Sequence, residues 1–457
     1  MINLRGAFQS SLFRNIAALY AVQICRKVIP IASIPYLTRI LGPTTWGTLS
    51  FVLTAVTFVI IFVEFGFGIS ATREIASNRD SKEARANIVA GVLGLQLILF
   101  TVGLSVLMLA SSHLPLLRDN PAMLAAGLFY AVSQCFAPLW FFQGMEWMRS
   151  ASALEITGKV VSLAGLLLFV HSPEDAWLAL ALQAIPALLQ TAVGIWLIYR
   201  EVPFRLPSYA LMREMLLRGW TMFVFRNSVH LYTGANVFIL GLFAKPEYVG
   251  YYAAAERINS ALLGLLSPIQ EAFFPRLNNL ITHSPERAAK LAKLGATLTA
   301  TCGVLLPVAL IITAPYLVAA LAGQAFAPAV HVLRILALMM PFAALTASIA
   351  GQWLLPMRKD HVVTAVMLCG GVLNITVACF LAPRFFHVGM ASAAVIAETF
   401  VGLAMIWALS RFTLWRTMGL LGIFAQANGK AETPNVDAPT SIRPPRLSTS
   451  NPAEMEA

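Results

Sequence analysis

Residues 20–42 read YAVQICRKVIPIASIPYLTRILG. The stretch is apolar and long enough to cross a bilayer, yet Arg26 and Lys27 stand side by side in its middle. A charge at the centre of a membrane helix costs about 2.5–3.5 kcal/mol on insertion scales. Long basic side chains escape that cost by snorkelling to the membrane surface. Here snorkelling is strained, because about a dozen apolar positions flank the pair on each side. The alternative is a hydrated interior, walled by protein, towards which the charges turn.

The rest of the chain fits that setting. Of 457 residues, 58% are hydrophobic and 12% charged, about half the charge of an ordinary soluble domain. A transmembrane helix needs roughly 20 apolar residues, so the chain has room for about a dozen. Apolar segments are expected at 15–39, 45–70, 86–111, 122–146, 150–170, 174–199, 216–243, 247–279, 291–314, 325–355, 361–382 and 387–410. The five cysteines form no CxxC or His-containing metal spacing and read as small packing residues. The opening MINLRGAFQSSLFRN lacks the apolar core and cleavage site of a signal peptide, so the first apolar run is expected to stay as a helix.

Positive charge sets the orientation. With the N-terminus inside, nineteen of the 32 Lys and Arg residues fall on the cytoplasmic side and four outside. That bias places both termini in the cytoplasm. The net charge of +11 is therefore mainly a topology signal with affinity for anionic lipid, and nucleic acid is not implied as a partner. The outside loops (LGPTTWG, SSHLPLLRDN, HSPED, FAKPEY, PRFFH) are short. They leave no room for a catalytic domain, and no nucleophile–base pair, metal spacing or phosphate loop is visible.

The chain states one theme twice. RILGPTTWGTLSF and FILGLFAKPEYVGYYAA each run apolar helix, Leu-Gly, short turn, then Gly after an aromatic or apolar residue. Gly42, Gly47, Gly241 and Gly250 are read as turn glycines. Two parallel six-helix repeats follow, as in many transporters. The expected fold is an all-α polytopic membrane protein with about 12 transmembrane helices in two lobes around a central cavity. The divisions are an N-terminal lobe at 1–200, a cytoplasmic linker at 201–215, a C-terminal lobe at 216–415, and a disordered tail at 416–457 rich in Pro, Ser and Thr. Prolines such as Pro30, Pro35, Pro186, Pro307 and Pro341 kink helices, which suits a carrier and also occurs in rigid channels.

Each ionisable residue inside these segments has a structural reading beside a functional one. Glu155 and Lys159 have i, i+4 spacing for an intrahelical ion pair. Glu64 and Glu271 lie near cytoplasmic ends, where surface pairing competes with function. Glu256 and Arg257 are adjacent and point about 100° apart. Glu398 is either the partner of a cation or a protonation site. Arg26, Lys27, Arg226 and Arg334 have no acid within a turn, and Arg226 shares a face with His230. Arg26, Lys27, Arg226, Arg257 and Arg334 are the candidate substrate cations, since guanidinium forks fit phosphate oxygens. Their structural alternative is to cap carbonyls or snorkel. The expected cargo is anionic and amphiphilic.

The motifs also carry a resemblance. IPIASIPYLTRILGPTTWGTLSF, EFGFGISATREIASNRD, ILGLFAKPEYVGYYAAAERI and SPIQEAFFPRLNNL, in this order and spacing, are similar to signatures of the oligosaccharide (Wzx-type) flippase family. That family belongs to the multidrug/oligosaccharidyl-lipid/polysaccharide exporter superfamily. The resemblance implies a multi-pass protein of the bacterial cytoplasmic membrane, and a transporter rather than an enzyme. Its cargo would be undecaprenyl-diphosphate-linked oligosaccharide repeat units, moved from the inner to the outer leaflet for O-antigen, capsule or exopolysaccharide. It implies a cationic cavity at Arg26, Arg226 and Arg257, and a polysaccharide polymerase and chain-length proteins as partners. It implies no cofactor, with proton or sodium coupling through acids such as Glu64, Glu256 or Glu398. Two rival readings are a drug/cation antiporter of the same superfamily, which should hold buried acids, and a membrane polymerase or ligase, which should hold a large outside loop.

Overall fold

The computed structural model describes residues 11–266, 273, 276–277, 279–280, 283–357 and 359–411, and leaves aside the side chains of 11–32, 149–150, 221–222, 225–233, 265, 285–286 and 289. Among the described residues there is no strand. The helices are α1 (Ser11–Glu64), α2 (Phe67–Ser77), α3 (Lys82–His113), α4 (Pro121–Cys135), α5 (Leu139–Gly144), α6 (Met148–Phe169), α7 (Ala176–Glu201), α8 (Tyr209–Gly234), α9 (Asn236–Phe243), α10 (Pro246–Leu263), α11 (Pro285–Leu321), α12 (Ala329–Ala337), α13 (Met340–Ile349) and α14 (Asp360–Arg411). Short single turns join several of them.

The expected apolar segments fall mostly on helix where they are described, but the helices divide differently, 122–146 for instance being broken at 136–138. Eight are long and apolar enough to cross a membrane among the described residues. One of these, α14, carries the last two expected segments in a single run broken at Phe386 (φ 48). The expected segment 325–355 is split into α12, α13 and a π-helical turn at Ala350–Leu354, with Pro341 in the first turn of α13, where its missing N–H is harmless. Helix α10 is not among the eight. It carries Glu247, Glu256 and Arg257, which dilute its hydropathy.

Large apolar side chains face outward over most of the bundle: Leu97, Val106, Leu109, Leu168, Leu189, Leu305, Ile312 and Trp407 are all exposed. A surface this apolar is a liability in water and an asset in lipid. Continuous helix pairs every backbone group within the segment, which hydrocarbon demands. The chain is thus a polytopic all-α membrane protein.

Breaks in the helices are where that pairing fails, and side chains repair it. Gly42 (φ 67, ψ 174) interrupts α1, a conformation that Gly adopts without the penalty of a Cβ. The residues just before it serve other helices. The Tyr36 hydroxyl donates to the Val170 carbonyl at 2.7 Å, just past the end of α6. Arg39 donates to the Ala320 carbonyl at 2.7 Å, and the Thr38 hydroxyl, 2.8 Å from the Ile34 carbonyl of its own helix, lies 3.2 Å from that of Leu321, the last carbonyls of α11. These are the orphan C-terminal carbonyls that every helix leaves. At the opposite end of the bundle, α1 breaks again at Phe65 and Gly66 (φ 43 and 76). There the Phe65 ring stacks on Phe223 of α8 at 4.3 Å, and Arg218 pairs with Glu74 and Glu214.

The second arm of α1 crosses α10 at closest range through two glycines. A Cβ at Gly47 would land on the Pro246 carbonyl oxygen, and one at Gly250 on that of Pro43. Each glycine lies four residues after the proline that the other one meets, so the contact is reciprocal, as two-fold-related surfaces are. The reading of these residues as turn glycines is corrected here for three of the four. Gly47, Gly241 and Gly250 lie inside helices, and what they supply is the missing side chain. A Cβ at Gly241 would enter the Phe51 ring. Only Gly42 of the four needs a positive φ. The expected result is that Gly47→Ala and Gly250→Ala each destabilise the protein by about 1–3 kcal/mol through overpacking, despite the roughly 1 kcal/mol of helix propensity gained. Gly234→Ala, where an added Cβ meets nothing within 4 Å, should not. Thermal midpoints in detergent, followed by size exclusion, check this, and equal midpoints for all three variants would contradict the crossing.

Candidate functional site

A cavity of about 510 Å³ opens among α1, α4, α6 and α7. Its walls carry Ser33, Leu37 and Trp46 from α1, Tyr130 and Gln134 from α4, Glu155, Lys159 and Ser162 from α6, and Gln183 and Gln190 from α7. Arg257 of α10 enters from the other half of the chain. The volume lies within the range of small-ligand pockets, with apolar walls and a few placed polar groups.

Helical spacing explains who faces in. On α7, Gln183, Ala187, Gln190, Thr191 and Gly194 line the cavity, at i, i+4, i+7, i+8 and i+11, which is one helix face. On α6, Glu155, Lys159 and Ser162 do the same. Lys159 Nζ and Glu155 Oε1 are 3.0 Å apart, the i, i+4 pair that the spacing predicts. Arg257 is half-buried, with its guanidinium carbon 5.0 Å from the Trp46 ring centroid, a cation–π contact. Among the described residues no carboxylate lies within 4.0 Å of that guanidinium. Neighbouring Glu256 accepts from the Ser260 hydroxyl at 2.9 Å.

The other sequence candidates scatter. Arg26, Lys27, Arg226 and His230 sit on helices α1 and α8, and their side chains lie outside the described residues; Glu271 lies outside them altogether. Glu64 ends α1, half-buried beside the Phe65–Gly66 break, and does not line the cavity. Glu398 is 4% exposed on α14, close in sequence to Ala397 and Val401 of a separate apolar cluster. It does not line the cavity either.

Arg334, expected as a substrate cation, stands beside a proline kink in this structure. Its Nε donates to the Ile311 carbonyl at 3.2 Å. Pro315 stands four residues further along α11, so Ile311 is the carbonyl whose helical donor the proline ring removes. An arginine from α12 supplies the missing N–H. It does not line the cavity.

The polar residues that a search for charge overlooks are Tyr130, Gln134, Gln183 and Gln190. Their signal is present in the sequence: glutamines inside otherwise apolar runs, two of them seven apart. Uncharged polar side chains in a membrane helix also need a reason.

Comparison with known proteins places this geometry. Residues 12–281 match the family described as Polysaccharide biosynthesis protein. A protein of Escherichia coli (strain K12) named "Putative O-antigen transporter" is 27% identical over 399 residues, covering 87% of this chain and 96% of its own. A Shigella dysenteriae protein of the same name is 27% identical over 406 residues, covering 87% and 99%. Among solved structures, the lipid II flippase MurJ in an inward closed conformation superposes with a TM-score of 0.67 at 13% identity, covering 92% of this chain and 94% of that one. An inward-facing multidrug resistance MATE family transporter of the MOP superfamily gives 0.61 at 14% identity, covering 85% and 99%. These two share the fold.

The cap assigned to Arg334 has a direct test. Arg334→Met is expected to lower stability by about 1–3 kcal/mol, the cost of stranding a buried carbonyl. In a Pro315→Ala background, where residue 315 regains its N–H, the same substitution should cost little. A double-mutant cycle on thermal midpoints measures the difference, and equal penalties in both backgrounds would return Arg334 to the list of substrate cations.

Proposed function

The chain belongs to the polysaccharide biosynthesis protein family, and on that premise we propose that it is a flippase for undecaprenyl-diphosphate-linked oligosaccharide repeat units. It carries them from the inner to the outer leaflet of the bacterial cytoplasmic membrane and is a transporter, not an enzyme. The O-antigen transporters to which it is similar along nearly their whole length support this cargo class, and the shared flippase fold supports the movement. The observation that carries the reading is Arg257: a guanidinium from the second half of the chain, held over Trp46 and facing a cavity, with no described carboxylate within 4.0 Å of it.

The physical problem is to pass a diphosphate and a hydrated sugar through about 30 Å of hydrocarbon, where an unpaired charge is very costly. In the proposed cycle the polyprenyl tail stays in lipid, and the diphosphate exchanges water for Arg257. Arg26 and Arg226 are assigned to the same path from their places on α1 and α8. The basic bias of the loops puts residues 78–81, 145–147 and 202–208 in the cytoplasm and the Tyr36–Arg39 contacts at the outer face. The two halves then rock, opening the cavity to one side at a time. Glu155 is engaged by Lys159, which leaves the cavity poorly suited to a cationic drug. Proton or sodium coupling through Glu64, Glu256 or Glu398, and contact with a polymerase and chain-length proteins, belong to the same proposal.

Arg257→Ala should reduce surface polysaccharide at least about tenfold, the loss of one charge-assisted contact, with normal protein levels in the membrane. Arg257→Lys should retain part of the activity, since the charge remains and the fork is lost. Lipid-linked repeat units should accumulate on the inner leaflet in a strain carrying Arg257→Ala alone. Unchanged polysaccharide in that strain would refute the cation site.

A further inference from the structure

The geometry points to a saccharide subsite, distinct from the phosphate-facing arginine, on the amide-lined wall formed by Gln134, Gln183 and Gln190. This rests on the flippase reading above and extends it to the part of the cargo that varies between organisms.

The cavity lining carries two kinds of group: charges, with Arg257 above Trp46 and the Glu155–Lys159 pair of α6, and uncharged amides from α4 and α7, two helices packed along each other. A carboxamide offers both donors and acceptors and carries no net charge. It therefore suits a hydroxyl, which also does both, better than a phosphate, which only accepts at its ionised oxygens. Among the described residues the side chains of Gln134 and Gln190 make no hydrogen bond to protein, and neither is sealed away from the cavity. Gln183 spends one donor on the Ala179 carbonyl at 2.7 Å, which fixes the amide and leaves its oxygen free to accept. Gln183 and Gln190 are two turns apart on one face, about 10 Å along the axis, the scale of a pair of linked sugar rings. Ser162 adds a hydroxyl from α6 on the same cavity.

None of this is needed to hold the helices together. Glutamines with unspent amide groups on two lipid-embedded helix faces would be costly if they served packing alone. Facing a hydrated cavity they cost little, and they reward a ligand that replaces water with matched hydroxyls. Such a wall discriminates by pattern: a ligand lacking the hydroxyl leaves buried groups unpaired, which is how hydrogen-bonding sites reject close analogues.

Two probes separate the subsite from the phosphate site: the lipid-linked repeat unit extracted from the source organism, and bare undecaprenyl diphosphate. Both are titrated against the full chain in lipid nanodiscs. The wild-type protein should bind the sugar-bearing lipid more tightly than the bare one. Gln134→Leu combined with Gln190→Leu should reduce that preference about tenfold, the equivalent of one to two hydrogen bonds, and leave the affinity for bare undecaprenyl diphosphate unchanged. Arg257→Ala should weaken both probes in parallel. If the leucine pair does not elute as a monodisperse peak, Gln134→Met with Gln190→Met, uncharged and close in length but lacking the amide, should show the same selective loss. An unchanged preference, or a loss shared equally by both probes, overturns the subsite and leaves the flippase reading standing. Failure of the wild-type chain to bind either lipid overturns both.

Discussion

The crossing of α1 and α10 at Gly47 and Gly250 is the constraint on which the rest depends. Two backbones meet there so closely that a single methyl group on either would strike a carbonyl of the other. Trp46 is the residue beside one glycine, and Arg257 lies seven residues, about two helical turns, beyond the other. Their contact at 5.0 Å follows from the register that the glycines set. A guanidinium from the second half of the chain thereby reaches a cavity otherwise built from the first half. Small residues serve this purpose throughout membrane proteins, because lipid gives helices no hydrophobic reason to associate and close packing must supply one.

The second constraint is the backbone itself. Hydrocarbon offers no water to pair a freed carbonyl, and two helix ends and one proline kink recruit polar side chains. Tyr36, Thr38 and Arg39 serve the ends of α6 and α11, and Arg334 serves the gap left by Pro315. A basic residue within a membrane segment therefore has two very different uses. Arg334 meets a structural demand, while Arg257 stands over an aromatic ring with no such demand to meet. Only the geometry of the neighbours separates them.

This explains what could be read from the sequence and what could not. The helices were legible because apolar runs of membrane length have few alternatives, and because Gly42 before Pro43 marks a break on local grounds. The Glu155–Lys159 pair was legible because its spacing is intrahelical. The contact of Arg334 was not legible because its partner, the Ile311 carbonyl, lies on another helix and is a backbone atom, which no side-chain pattern reveals. Gly47, Gly241 and Gly250 were misread because a glycine that admits a neighbouring helix and a glycine that turns the chain look alike in one dimension. Gln134, Gln183 and Gln190 went unnoticed because a search for charge passes over neutral polarity. Their common cavity arises only when α4 and α7 pack.

The same contacts divide into those that can exchange and those that cannot. At one end the two halves meet through Thr38 and Arg39 on the carbonyls of α11. At the other they meet through the Phe65–Phe223 stack and the Arg218–Glu74 pair. A protein hydrogen bond contributes about 0.5–1.5 kcal/mol net, and a solvent-exposed ion pair about 0.2–1 kcal/mol. Each layer is thus worth a few kcal/mol, an amount that differential binding of a ligand can offset. The glycine crossing is steric, and it cannot be exchanged for water. In the proposed cycle it holds the two halves in register beside the outer loops, and that register keeps Arg257 over Trp46.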